Sequence, residues 1–205
     1  MGFYRQTVLP FLLDTATNTP AFNDCRRRML EGAHGRVLEI GFGTGLSAPC
    51  YPPAVERVIA IDSNPGTDKR AQRRIASASV PIELRPADGQ ELPFDDASFD
   101  GVATSLVLCS VPDVARTLAE VRRVLKPGGR YFFFEHGLGD RPKLRQWQRR
   151  MNGMQMLLCG GCHLDRPIRS LIEGAQFRFD TVDDVSLKSA PWLVSSATWG
   201  AASPH

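Results

Sequence analysis

No stretch of this 205-residue chain approaches the ~20 apolar residues that a bilayer-spanning helix needs. The apolar run at 8–13 (Val-Leu-Pro-Phe-Leu-Leu) is short and meets Asp14, so neither a secretion signal nor a membrane anchor is expected. Five cysteines, an odd number without paired spacing, argue against a disulfide framework; reduced thiols in a cytoplasm are the expectation. A net charge of +3 is too small to argue for a nucleic-acid partner. No internal repeat, low-complexity tract or linker interrupts the chain. Length and a 42% hydrophobic, 23% charged composition suit one globular domain over 1–205 with one core. The arginine groups at 26–28, 73–74, 122–123 and 149–150 read as solvated helix faces.

Against these absences stands one dense pattern. Residues 37–45 read Val-Leu-Glu-Ile-Gly-Phe-Gly-Thr-Gly, and Asp62 closes a second apolar run, Val58-Ile59-Ala60-Ile61. A strand, a glycine turn and a second strand ending in a carboxylate describe a pocket for an adenosine-bearing cofactor. Glycines at 41, 43 and 45 let the backbone turn sharply beside a ligand, and Asp62 can accept hydrogen bonds from both ribose hydroxyls. A dinucleotide fingerprint needs its third glycine at position 46, which is Leu. Glu39 would repel a pyrophosphate and attract a cationic amino-acid headgroup. Acid-x-Gly-x-Gly-x-Gly followed by an acidic ribose binder resembles the class I S-adenosylmethionine-dependent methyltransferases.

The remaining pattern predicts an α/β chain. Strands are expected at 36–40, 57–61, 82–85, 99–104 and 130–134. Helices are expected near Thr44, whose hydroxyl would cap one, and at 65–79 and 115–125. Residues 1–34 read as a helical cap broken by Pro10 and Pro20, with Tyr4 and Phe11 as candidate substrate-pocket walls. Residues 137–165 read as a helical insertion near the acceptor. A helix at 166–174, entered through Asp165, and strands at 177–185 and 191–199 complete the chain. The resemblance implies a Rossmann-like seven-stranded methyltransferase sheet, mostly parallel, with an antiparallel C-terminal hairpin and helices on both faces.

Ligands of such sheets lie over the carboxyl ends of the strands. Under this resemblance the S-adenosyl-L-methionine site comprises Glu39, Gly41, Gly43, Thr44, Gly45, Asp62, Ser63, Asp88, Gly89, Ser105 and Leu106. Asp88 would meet the adenine amine and Gly89 a ring nitrogen; Asp88 also reads as a simple turn former. The acceptor side gathers Tyr4, Glu135, His136 and His163. His136 at a strand end is the candidate base or orienting group, with a structural histidine as its alternative.

The resemblance extends to Leu92-Pro93-Phe94, Ser98-Phe99-Asp100, Leu106-Val107-Leu108-Cys109-Ser110-Val111, Phe134-Glu135-His136 and Gly161-Cys162-His163-Leu164. The first two segments resemble methyltransferases acting on quinones and lipids; the other three together are similar to the methyltransferase-like thiol S-methyltransferases and their bacterial relatives. The resemblance implies methyl transfer to a small or lipophilic acceptor, a thiol being the acceptor that this group suggests; the chain itself, without a long apolar run, is expected to make at most peripheral membrane contact. Cys109 reads as a small buried hydrophobe. Cys159 and Cys162 lack a second ligand pair at workable spacing, so no metal site is expected. A nicotinamide-dependent oxidoreductase and a non-catalytic cofactor-binding module remain the rival readings.

Overall fold

The computed structural model describes residues 8–63 and 69–205. Seven strands form one sheet: β1 (Gly35–Ile40), β2 (Val55–Asp62), β3 (Ile82–Pro86), β4 (Phe99–Ser105), β5 (Leu125–His136), β6 (Phe177–Ser186) and β7 (Ser196–Pro204). Their order is β3-β2-β1-β4-β5-β7-β6. The first five run parallel, and β7 enters antiparallel between β5 and β6. The sheet therefore has the expected α/β form with its C-terminal hairpin.

Helices cover both faces: α1 (Leu9–Thr17), α2 (Pro20–Leu30), α3 (Lys69–Ala76), α4 (Val114–Val124), α5 (Pro142–Leu158) and α6 (Ile168–Gly174). Side chains alternate across a strand, so each central strand feeds two cores. Val37, Val58, Ala103, Phe132 and Phe134 pack with Phe22, Met29 and Leu30 of α2. Leu38, Ile59, Val102, Tyr131 and Phe133 pack with Leu118 and Val121 of α4 and Ile172 of α6. No helix among the described residues is long and apolar enough to cross a membrane.

Several local expectations change. Pro10 and Pro20 sit in the first turns of α1 and α2, where a missing N–H costs nothing, and so start helices rather than break them. No α-helix starts at Thr44; the chain takes turns and a short 3-10 segment, Ala48–Cys50, because Pro49, Pro52 and Pro53 deny a helical ladder its donors. Pro167, not Asp165, occupies the cap position of α6. The last strand begins at Ser196 rather than Pro191, since Trp192–Val194 coils into a 3-10 turn. Arg26 is not solvated but 2% exposed, its guanidinium donating to the Thr17 carbonyl, Asn23 and Ser105.

Candidate active site

The strand order reverses between β1 and β4, the point at which open parallel sheets receive ligands at the carboxyl edge. Residues 41–45 turn across this edge. The N–H groups of Gly41 and Phe42 both donate to the Ile61 carbonyl, at 2.8 and 3.1 Å, and tie the turn to the end of β2. Gly41 has φ +73°, and a Cβ there would stand 2.5 Å from Val107 Cγ2, so only glycine fits. Gly43 differs: φ is +54°, but a Cβ would meet nothing within 4 Å. Its N–H donates to Asp62 Oδ2 at 2.8 Å. Gly45 closes the turn with an N–H bond to the Phe42 carbonyl at 2.9 Å. The structure thus brings the glycine turn and Asp62 into direct contact, with Gly43 exposed and Asp62 half-buried. Ser63 follows, exposed.

Glu39 lies beneath this turn, 2% exposed, rather than being displayed to a ligand. Tyr51 Oη donates to its Oε2 at 2.7 Å. Burial pushes its pKa up to about 7 despite the Tyr51 and Ser47 hydrogen bonds and the nearby Arg26 charge. Thr44 also departs from expectation. Its hydroxyl donates to Asp14 of α1 at 2.6 Å, while Arg74 of α3 donates to the same carboxylate and to the Thr44 carbonyl. Thr44 anchors the turn to two helices instead of capping one. Sequence reasoning missed Asp14; its signal was an acid directly after an apolar run.

Asp88 is exposed, and its carboxylate accepts from Gln90 N at 2.9 Å and from Gln90 Nε2, which is the turn-forming alternative. A Cβ on Gly89 would lie 2.6 Å from Ile40 Cγ2, so glycine lets this loop rest on the end of β1. Ser105 Oγ accepts from Arg26 Nε at 3.3 Å. Leu106 takes φ +60°, a rare conformation for a residue with a side chain, held by its N–H bond to the Phe134 carbonyl. Backbone outliers of this kind cluster at functional sites, and this one sits on the edge that carries the glycine turn.

The acceptor-side residues are mostly corrected. Tyr4 lies outside the described residues. Phe11 is half exposed, with the Arg70 guanidinium 4.8 Å from its ring centroid. Glu135 is fully buried and accepts from the N–H groups of Val107 and Leu108 at 3.1 and 3.0 Å; it holds the loop after β4 and cannot face an acceptor. Burial pushes its pKa up to about 7 against those bonds. His136 is buried, with Nε2 2.7 Å from Cys162 Sγ and Nδ1 without a partner, so the ring is not displayed as an open base. His163 is half-buried; its backbone N–H donates to the Cys109 carbonyl and its ring lies beside Asn152. Burial and the Arg166 charge push its pKa down.

The structure also joins residues that spacing kept apart. Cys109, His136 and Cys162 place their ligand atoms within 4.8 Å of one another. Cys159, the sequence neighbour of Cys162, is not among them.

Comparison with known proteins places this geometry. The family profile for the methyltransferase domain matches residues 38–133. The chain is 33% identical to rat Thiol S-methyltransferase TMT1B over 98% of its own length and 84% of that protein. It is 38% identical to Phosphatidylethanolamine N-methyltransferase of Cereibacter sphaeroides, over 54% of this chain and 55% of that one. A solved putative methyltransferase from Bacillus halodurans superposes with a TM-score of 0.71 at 18% identity, over 90% of this chain and all of that one (100%). The glycine turn, the Asp62 contact, the seven-stranded order and this near full-length similarity agree, and the chain belongs to the class I S-adenosylmethionine-dependent methyltransferases, with S-adenosyl-L-methionine as its cofactor.

Proposed function

We propose that the chain methylates a thiol on a small, lipophilic acceptor. The observation that carries this reading is the extent of similarity. The relative named for an amine acceptor matches 54% of the chain, whereas the thiol S-methyltransferase matches 98%. A shared cofactor fold accounts for the first match. The second also spans the segments after β5, where an acceptor pocket would be built.

The residues suit the cofactor. Gly43 opens on space that a side chain would fill, and its N–H already meets Asp62, the candidate ribose acceptor. In this reading the backbone of residues 41–45 and Asp62 hold the sugar and amino-acid portions. Ser63, Asp88 and Gly89 flank the adenine, and Ser105 and Leu106 form the floor. Glu39, Tyr51 and Arg26 support the turn from below. When bound, S-adenosylmethionine supplies an electrophilic methyl carbon on a sulfonium. The chain's contribution is alignment of an acceptor with that carbon, which needs no nucleophilic side chain. The acceptor reacts as its thiolate.

Apolar side chains on two helices support a lipophilic acceptor. Phe11, Leu12 and Leu13 of α1 and Met154, Leu157 and Leu158 of α5 are all exposed. The first residue of α1 meets the turn that follows α5, where Leu9 Cδ2 lies 2.8 Å from the position of a Cβ on Gly160. The test is an acceptor screen with methyl-labelled cofactor against alkyl thiols, phospholipid amines and demethylated quinols. Labelled thioether is expected. Label confined to amines or quinols would overturn the thiol assignment while leaving methyl transfer intact.

A further inference from the structure

The geometry points to a thiophilic metal site, of the zinc class, built from Cys109, His136 and Cys162. These residues come from three separate segments: the turn after β4, the end of β5 and the connection between α5 and α6. All three are buried, and the two thiols and one imidazole nitrogen converge within 4.8 Å. Two cysteines and a histidine are a donor set that tetrahedral zinc uses when it keeps a fourth, exchangeable ligand. No other Asp, Glu, His or Cys among the described residues completes the set.

The donors are held in place before any ion arrives. Glu135 accepts the N–H groups of Val107 and Leu108, Arg166 donates to the Leu108 carbonyl, and the His163 N–H donates to the Cys109 carbonyl at 2.7 Å. Asn152 Oδ1 accepts from the Leu164 N–H at 2.8 Å and fixes the segment just after Cys162. Such supporting bonds orient ligands in metal sites. His136 itself has one polar contact, Cys162 Sγ, and its other ring nitrogen is buried without a partner. Nε2 is the ring nitrogen that faces Cys162, so it is the donor to the ion, and Nδ1 carries the ring proton. Zinc–ligand bonds of about 2.0–2.3 Å put neighbouring donors roughly 3.5 Å apart, so the 2.7 Å His136–Cys162 contact opens by about 0.8 Å on binding. The two thiols release their protons to solvent and bind as thiolates, no electron is transferred, and the ion's double charge is balanced.

The proposal is independent of which acceptor is methylated. Full-length protein, reduced and stripped with chelator, is titrated anaerobically with Co2+, and each variant is checked for S-adenosylmethionine binding as a control of folding. One ion per chain is expected, with near-ultraviolet thiolate-to-cobalt absorption and visible bands of a four-coordinate site, both removed by Zn2+. Cys109→Ser, Cys162→Ser and His136→Ala each weaken binding by more than about 100-fold, since even outer partners are worth about 10–100-fold. Cys159→Ser binds as wild type. Reduced wild-type protein that shows no thiolate absorption overturns the proposal, whether or not the variants fold, and leaves Cys109 and Cys162 as a thiol pair open only to oxidation. Equal loss on Cys159→Ser overturns it as well.

Discussion

Two glycine-bearing turns dominate this molecule, and they do different things. The 41–45 turn joins neighbouring strands of one sheet, and its open position, Gly43, faces space. The turn at 159–163 carries Gly160 and Gly161, both with positive φ, but a Cβ on Gly160 would strike Leu9 of α1. In the proposed reading the open position of the first turn admits a ligand, whereas Gly160 of the second makes room for Leu9 of the chain itself. Each region also has a fully buried glutamate in support, Glu39 beneath the first and Glu135 behind the loop that leads to Cys109. Similar residues therefore serve a cofactor cradle in one place and a long-range assembly in the other.

The sharpest break of the comparison is steric. Gly43→Val should abolish S-adenosylmethionine binding in calorimetry while the circular dichroism spectrum stays that of the wild type. Gly160→Val should leave cofactor affinity unchanged and lower the melting temperature. If Gly43→Val binds normally, the backbone of the first turn does not lie against the ligand.

Next in size is the pH dependence that the two glutamates impose. Each has a folded pKa of about 7, above the ordinary 4.5, so the folded state keeps the proton longer than the unfolded state does. Their contribution is full below about pH 4.5 and is lost as pH rises through 7, by about 3 kcal/mol each at pH 8. Glu39→Gln should therefore flatten the fall in urea midpoint between pH 5 and pH 8, and Glu135→Gln should do the same for the other region. A wild-type midpoint that rises over that range would contradict both assignments. Asp62→Ala comes third, weakening S-adenosylmethionine binding by about 1–3 kcal/mol through loss of charged hydrogen bonds. Unchanged affinity would mean that the ribose is held elsewhere.

The difference between the two turns also explains what could be read from the chain before its structure. The cradle is a local object: strand, turn and strand lie within 37–62, and alternation, glycine spacing and a terminal acid announce each part. The individual strands followed from the same kind of local signal, while the seven-stranded sheet with its hairpin was what the family resemblance implied. What stayed hidden was long-range. Cys162 has a sequence partner three residues away, yet its spatial partners are Cys109 and His136, which no periodicity links to it. Arg26 sits in an arginine triplet that reads as surface, but helix geometry turns one of the three inward toward Ser105 and the aromatic rings of Phe22 and Phe134. His136 and Glu135 were visible as strand-end residues; which way they are committed depends on loops that fold back from far along the chain.

The smallest effect tests whether the cradle is held by its ligand or by the N-terminal helix. Thr44 lies inside the glycine turn, where a hydroxyl could be taken for a cofactor contact. Its bond instead runs to Asp14, which also receives Arg74. Thr44→Val keeps the shape of the side chain and removes the donor. Asp14 retains Arg74 as a partner, so the cost should be about 1 kcal/mol of stability rather than that of an orphaned buried charge. Cofactor affinity should change less than about twofold, because 1 kcal/mol lost from the anchor does not touch Gly43 or Asp62. A large loss of affinity with unchanged stability would move Thr44 into the ligand site. The expected result, stability lost with affinity kept, would make the Thr44–Asp14–Arg74 contact an anchor of the fold that joins α1 and α3 to the turn without reaching the ligand.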